Sequence, residues 1–267
     1  MASGRVTILG CGGSGGVPLV TGYWGACDPA NPKNRRMRAS IAVEMPDTTI
    51  MVDTGPDFHI QTLTYRIKNI GAVLYTHGHS DHVNGIDELR YLKYIQKQNI
   101  DIWGDLNTLS ELQARFAHMF VASPDGIYEA VVNTHVFNDD DFGRPHLIAG
   151  HPVVPYWQKH GTAGRSVGYR FGNFAYSTDV SGLDDAAFEA LKGVDTWLVD
   201  CAQFGSDFTV VHANFDMVAE WNTIVKARRV ILTHMTPRID YKAMADYLPK
   251  GYEPAYDGMV IDISTGT

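Results

Sequence analysis

Residues 72–85 read AVLYTHGHSDHVNG, and no other stretch limits so sharply what this chain can fold into. An apolar strand ends at Thr76, and His77-x-His79-x-Asp81-His82 follows at once, before a helix. Alternate residues of an extended segment point the same way, so His77 and His79 can hold one ion together. Asp81 and His82, at the helix start, turn toward a second ion beside it. Neutral imidazoles with a carboxylate suit Zn²⁺, Mn²⁺ or Fe²⁺ far better than Ca²⁺ or Mg²⁺.

A second glycine-rich stretch invites a different reading. RVTILGCGGSGGVPLV, residues 5–20, contains Gly10-Cys11-Gly12-Gly13-Ser14-Gly15, a letter-for-letter G-x-G-x-x-G. That pattern marks a dinucleotide site only where the third glycine opens a helix whose N-terminus receives the pyrophosphate. Here Val17-Pro18 and the aperiodic TGYWGACDPANP follow, and no strand ending in Asp or Glu lies about 20 residues on. The dinucleotide reading fails on its context. Two readings stay open for the loop: backbone N–H groups brought close to a bound phosphate, or a tight turn packed for shape alone.

Composition bounds the partners. The 267 residues are 45% hydrophobic and 19% charged, which describes an ordinary soluble globular protein. The N-terminus lacks a signal-peptide pattern and no apolar run reaches spanning length, so neither secretion nor a membrane is expected. Cys11, Cys27 and Cys201 sit far apart with no C-x-x-C, which suits a reducing cytoplasm. The formal net charge of −8 disfavours nucleic acid, whose phosphates the long-range field would repel. A small anionic substrate remains compatible, because bound metal reverses the sign locally.

Periodicity predicts strands over 5–9, 39–44, 49–53 and 72–75, with helices over 57–68, 81–96 and 106–120. The second half repeats the style. Strands are expected near 153–156, 167–171, 174–177 and 196–199, then a helix over 215–225 and strands over 230–233 and 259–263. There is no repeat and no linker-like break. The pattern predicts an α/β (α+β) chain: two β-rich halves packed sheet on sheet with helices outside, a four-layer αββα single domain spanning residues 1–267.

H-x-H-x-D-H after a strand resembles the metallo-β-lactamase superfamily, and the resemblance covers essentially the whole chain. It implies an αββα sandwich with two divalent ions, zinc or manganese, at the sheet edges. It also implies a further metal His, an Asp bridging both ions at a strand end, and a last His near the C-terminus. Asp179, ending FAYSTD, matches the bridge, and His234, ending RRVILTH, matches the last ligand. For the middle ligand both His151 and His160 are candidates; KHGTAGRSVGYRF resembles the family's His-Gly turn and selects His160. The expected set is His77, His79, Asp81, His82, His160, Asp179 and His234. Asp53, closing TIMVD, is expected to orient a ligand His. His59, His118, His135 and His146 have no assigned role.

GCGGSGGVP, NRRMRAS, MVDTGPDF and YDGMVI resemble the branch of phosphodiesterases that open cyclic phosphates such as ribose cyclic phosphate. Members of that branch carry a structural zinc held by several N-terminal cysteines and a His; only Cys27 remains in that loop here, so no structural zinc is expected. The resemblance implies attack on phosphorus by a hydroxide bridging ions about 3.5–4 Å apart. Asp81 belongs to that catalytic centre, and His212, in FTVVHANFD, is the candidate general acid. Lys33 lies in a basic run with Arg35, Arg36 and Arg38, and the three arginines are candidate substrate-phosphate contacts as well as an ordinary solvated loop. The rival readings are an RNA endonuclease like RNase Z, a glyoxalase II-type thioester hydrolase, and a non-catalytic PqqB-like carrier. A homodimer is left open.

Overall fold

Along the inner strands, alternate residues bury themselves on opposite faces, and this alternation builds the layers. Ile41, Val43, Ile50, Val52 and Leu74 point into one core, while Ala42, Met51, Val73 and Tyr75 point into another. A strand buried on both faces needs cover on both, which a sandwich of two sheets between helices supplies. The computed structural model describes residues 3–265.

The first sheet contains, in spatial order, β14 (Val260–Ser264), β1 (Ser3–Gly10), β2 (Ser40–Glu44), β3 (Thr49–Val52), β4 (Ile70–Leu74), β5 (Ile100–Asp105) and β6 (Val132–Phe137). The second contains β13 (Tyr252–Pro254), β12 (Arg229–Thr233), β11 (Thr196–Asp200), β10 (Phe174–Ser177), β9 (Gly164–Phe171), β8 (His151–His160) and β7 (His146–Ile148). Each sheet is antiparallel on one side and parallel on the other. The parallel pairs are β3–β4, β4–β5 and β5–β6 in one, and β10–β11, β11–β12 and β12–β13 in the other.

Parallel neighbours need crossovers, and helices provide them. On the first sheet these are α1 (Phe58–Tyr65), α2 (Ser80–Val83), α3 (Leu89–Gln96), α4 (Leu106–Arg115) and α5 (Ala117–Phe120). On the second they are α6 (Asp185–Leu191), α7 (Phe215–Val225) and α8 (Tyr241–Tyr247). The sheets share one core, in which Val6, Ile8 and Val43 belong to the same cluster as Tyr169, Trp197 and Ile231. The four-layer sandwich predicted from the sequence is the architecture observed. Among the described residues no helix is long and apolar enough to cross a membrane.

Several elements depart from expectation. The helix predicted over 81–96 is broken into α2, a 3-10 turn at Ile86–Glu88, and α3. The break falls at Gly85, whose N–H donates to the Thr54 carbonyl (2.8 Å) rather than continuing the helix. The helix predicted over 106–120 is interrupted at Phe116, where φ is −127° and ψ 41°. Strands β5, β6, β7 and β13 and helices α6 and α8 were not anticipated. Strand β6, VNTHVF, is an edge strand buried only at its two ends, with little apolar alternation, and β7 and β13 are three residues each.

A methyl group at Gly85 would collide with the Gly55 carbonyl and crowd Phe58. Gly85→Ala should therefore destabilise the fold by about 1–3 kcal/mol, the usual effect of overpacking. Urea denaturation of the two proteins measures it; an unchanged midpoint would mean that the loop after β3 can yield.

Candidate metal centre

The chemistry-bearing residues collect where parallel strands end, the rim on which open α/β sheets bind their ligands. Asp53 follows β3, His77 to His82 follow β4, Asp179 follows β10, Asp200 ends β11, and His234 follows β12. His160 is the last residue of β8, just before the turn into β9. The two sheets are tied at this end by Val167 N–H to the Thr76 carbonyl (2.8 Å) and Tyr169 O–H to the Tyr75 carbonyl (2.7 Å).

Asp179 sits at the middle. Its Oδ1 lies 3.9 Å from His77 Nε2 and 3.7 Å from His160 Nε2. Its Oδ2 lies 3.1 Å from His82 Nε2 and 3.3 Å from His234 Nδ1. One carboxylate thus faces two sets of imidazoles with a different oxygen for each. Ligand atoms of His77, His79, His160 and Asp179 lie within 4.8 Å of one another, as do those of Asp81, His82 and His234. All seven residues expected from the sequence are brought together.

The donor set fits divalent metal ions. His77 Nε2 and His82 Nε2 are buried and make no hydrogen bond, although carboxylate oxygens of Asp81 and Asp179 approach His82 to 3.2 and 3.1 Å. Such orphaned nitrogens disfavour the metal-free protein unless a cation or proton takes the lone pair. Burial, reinforced by the neighbouring His82, holds His77 well below the usual imidazole range, and burial lowers His160 as well. Both are therefore neutral, the form that ligates. For Asp179, burial acts upward but the imidazoles of His234, His82 and His77 outweigh it and keep the carboxyl well below its ordinary range. Asp81 is likewise ionised, with His82 overcoming the effect of burial.

The residues behind the ligands hold them in place. Asp53 is fully buried; its Oδ2 lies 2.6 Å from His82 Nδ1, and it accepts hydrogen bonds from the Thr76 backbone and hydroxyl at 2.8 Å. A proton on His82 Nδ1 leaves Nε2 free for an ion, the orienting part expected of Asp53. Arg115 donates to the Gly78 carbonyl (2.5 Å) and to Asn84 (2.6 Å), clamping the ligand loop from α4. Asp53, Asp179 and His234 all have left-handed backbone, with φ of 65°, 52° and 58°.

His212 is adjacent. Its ring stacks on His234 at 4.9 Å, and its Nδ1 lies 2.7 Å from Asp200 Oδ2 and 4.0 Å from Asp179 Oδ1. Burial acts to lower its pKa, but the carboxylates of Asp200, Asp179 and Asp81 push it up to about 9. Asp200 was missed in the sequence. Its signal was there, because TWLVD closes a strand on an aspartate as TIMVD does.

The basic run requires correction. Arg36 is 2% exposed, and its guanidinium is turned inward to the Asn34 side chain (3.2 Å), the Thr236 carbonyl (3.3 Å) and the Cys27 sulfur (3.8 Å). It supports the N-terminal loop and is not available to substrate. Arg38 pairs with Asp57 at 3.0 Å, and Arg35 stacks over Trp24 at 5.1 Å. The glycine loop does pass the centre, with Gly13 against the His234 ring. Its N–H groups are mostly taken: Gly12 donates to Met37, Gly13 to Met235 and Gly16 to Gly13. Glycine is needed at position 10 because a side chain there would collide with the Arg38 carbonyl. His151 bonds Asp47 at 2.8 Å at the far end of β8, about 30 Å of strand from His160.

Removal of the shared carboxylate should disturb both ion sites together. Asp179→Ala should bind fewer than two ions per chain with at least 10-fold weaker affinity, whereas His160→Ala should weaken chiefly one of them. Equilibrium dialysis with metal analysis reads both. Two tightly held ions in Asp179→Ala would show that the carboxylate does not bridge.

Residues 48–235, which include the seven candidate ligands, match the family described as the beta-lactamase superfamily domain. Over 258 residues the chain is 25% identical to an octanoyltransferase of Porphyromonas gingivalis, covering 96% of this chain and 51% of that protein. Over 180 residues it is 26% identical to ribonuclease Z of Clostridium kluyveri, covering 66% of this chain and 48% of that one. The chain thus spans about half the length of the curated relatives it matches. Among solved structures, a crystal structure described as a new diphosphatase from the PhnP family superposes with a TM-score of 0.85 at 29% identity, covering 98% of this chain and 97% of the other. The short form of human tRNase Z superposes at 0.66 with 19% identity, over 98% of this chain and 100% of the other, a likeness of fold alone. With the sandwich, the ligand set and these similarities together, the chain belongs to the beta-lactamase superfamily and has the metallo-β-lactamase fold.

Proposed function

We propose that this protein is a metal-dependent hydrolase of small phosphodiesters, with cyclic phosphates such as ribose cyclic phosphate in its range. The observation that carries the reading is Asp179, whose two oxygens divide between two imidazole sets while His212 stands beside them. The 29% identity to the PhnP-family diphosphatase over nearly the whole chain supports phosphoryl chemistry. His77, His79, His160 and Asp179 would hold one ion, and Asp81, His82, His234 and Asp179 the other. Bound zinc or manganese supplies Lewis acidity at the phosphoryl oxygens and a nucleophilic water at neutral pH.

The chain's own residues do the rest. Asp53 and Arg115 hold the ligand loop so that His77, His79, Asp81 and His82 keep their directions. The buried ligands keep bulk water off the inner side of the centre. His212, protonated at Nε2 and anchored through Nδ1 by Asp200, donates a proton to the departing alkoxide. The ribonuclease Z similarity makes RNA a second reading, supported by 26% identity over two thirds of this chain. The net charge of −8 stands against it.

Metal content measured together with hydrolysis of bis-p-nitrophenyl phosphate tests the proposal; a metal-replete protein inert on every phosphodiester would instead support a carrier. His212→Ala should keep both ions and lose about 10²–10⁴-fold in turnover on alkyl phosphodiesters. Its loss on p-nitrophenyl esters should be far smaller, because p-nitrophenolate leaves without protonation. Equal losses on both would assign His212 to positioning.

The pH profile follows from the same pair. A histidine raised to about 9 is charged at neutral pH and loses its proton as pH rises through that value, so turnover of alkyl phosphodiesters should fall there. Asp200→Asn removes the main opposing charge and should move that decline to lower pH. An unmoved decline would detach it from His212.

A further inference from the structure

Outside the ligands the centre opens into a cavity of about 1170 Å³, and the charge of its walls bears on what the substrate carries. The cavity is a site irrespective of that charge, since it is lined by His77, a side chain nine-tenths buried whose Nε2 makes no hydrogen bond. Three carboxylates line it, Asp105, Glu111 and Asp139, against one guanidinium, Arg165. Asp105 is engaged as the N-cap of α4, accepting from the backbone of Asn107 (3.1 Å) and Thr108 (3.4 Å). Arg165 lies over the Trp157 ring at 5.2 Å.

Glu111 and Asp139 are exposed residues of the cavity wall. The Glu111 carboxylate rests directly on Gly78, between the ligands His77 and His79, and any side chain at position 78 would collide with it. Arg115, one turn along α4, offsets part of that charge, but its guanidinium is committed to Gly78, Ser80 and Asn84. None of Arg35, Arg36 and Arg38 lines the cavity. The phosphoryl group itself is cared for by the ions. Whatever extends from it into the cavity meets acceptors and negative charge.

On the reading of this centre as a phosphodiesterase, we infer that the cavity selects a substrate arm bearing hydroxyl or ammonium donors and rejects one bearing a second phosphate. Carboxylates accept hydrogen bonds from such donors, whereas a dianion facing them is repelled and finds one guanidinium in compensation. Glu111 and Asp139 are the residues that set this preference.

Three diesters with the same p-nitrophenolate leaving group and a two-carbon arm ending in ammonium, hydroxyl or phosphate test it on the metal-loaded protein. The ammonium and hydroxyl esters should exceed the phosphate ester in kcat/KM by at least 10-fold, and Glu111→Gln combined with Asp139→Asn should shrink the ammonium-to-phosphate ratio about 10-fold. Calorimetric dissociation constants of the matching nonhydrolysable phosphonates should show the same order without turnover. A phosphate-ended ester preferred by the native protein, or a ratio unchanged in the double variant, would overturn the inference. Hydrolysis of bis-p-nitrophenyl phosphate, which carries none of these arms, reports separately on the phosphodiesterase reading: without it, the binding order still decides the preference.

Discussion

A single buried carboxylate, Asp179, sets the terms for everything around it. It faces His77 and His82, carried by the first sheet, and His160 and His234, carried by the second. Two sheets can present side chains to one carboxylate only if their relative position is held to a fraction of an ångström. The shared core and the ties from β9 to the end of β4 supply that rigidity. Uncompensated, an anion this deep would be expensive; four imidazoles around it make it tolerable. The fold and the ion site therefore answer to the same geometry.

Each half contributes in the same way. Three parallel pairs in each sheet send helices back over the outside, and the turns that start these crossovers carry the functional groups. His212 and Asp200 belong to this scheme as much as the ligands do. The loop from β11 brings His212 back over the strand's own terminal aspartate, so a local pairing sets an imidazole beside the centre. Asp105, at the end of β5, extends the same rim into the cavity wall.

The candidate ligand set was legible in the sequence because its geometry is local. H-x-H-x-D-H needs only a strand followed by a helix, and STD and LTH need only strands that end. Most central strands were legible for the same reason, since burial on both faces writes continuous apolar runs such as VILT and WLV; β5, IDIWGD, was not, its run being broken by Asp101 and Gly104. Of the edge strands β14 was legible, but β6, β7 and β13 were not: β7 and β13 are three residues long, and β6 is buried only at its two ends. The break at Gly85 depends on the approach of Gly55, thirty residues earlier, which no local pattern reports. Arg36 misled for a related reason. A basic run usually marks solvent, but folding turned this one arginine inward to Cys27 and Asn34. Asp200 was readable as a strand-end aspartate, yet its role depends on a histidine twelve residues on that only the loop fold brings back.

Asp53, Asp179 and His234 share a backbone conformation that glycine adopts freely and other residues resist, at roughly 1–2 kcal/mol each. In a marginally stable protein three such residues amount to a considerable share of the whole stability. Selection for stability alone would replace them, and each replacement would erase a ligand or its support. The centre thus persists against the thermodynamic interest of the fold that holds it. In lineages where the chemistry is no longer needed, these three turns are where the sandwich would first be expected to relax, leaving an intact scaffold free for binding.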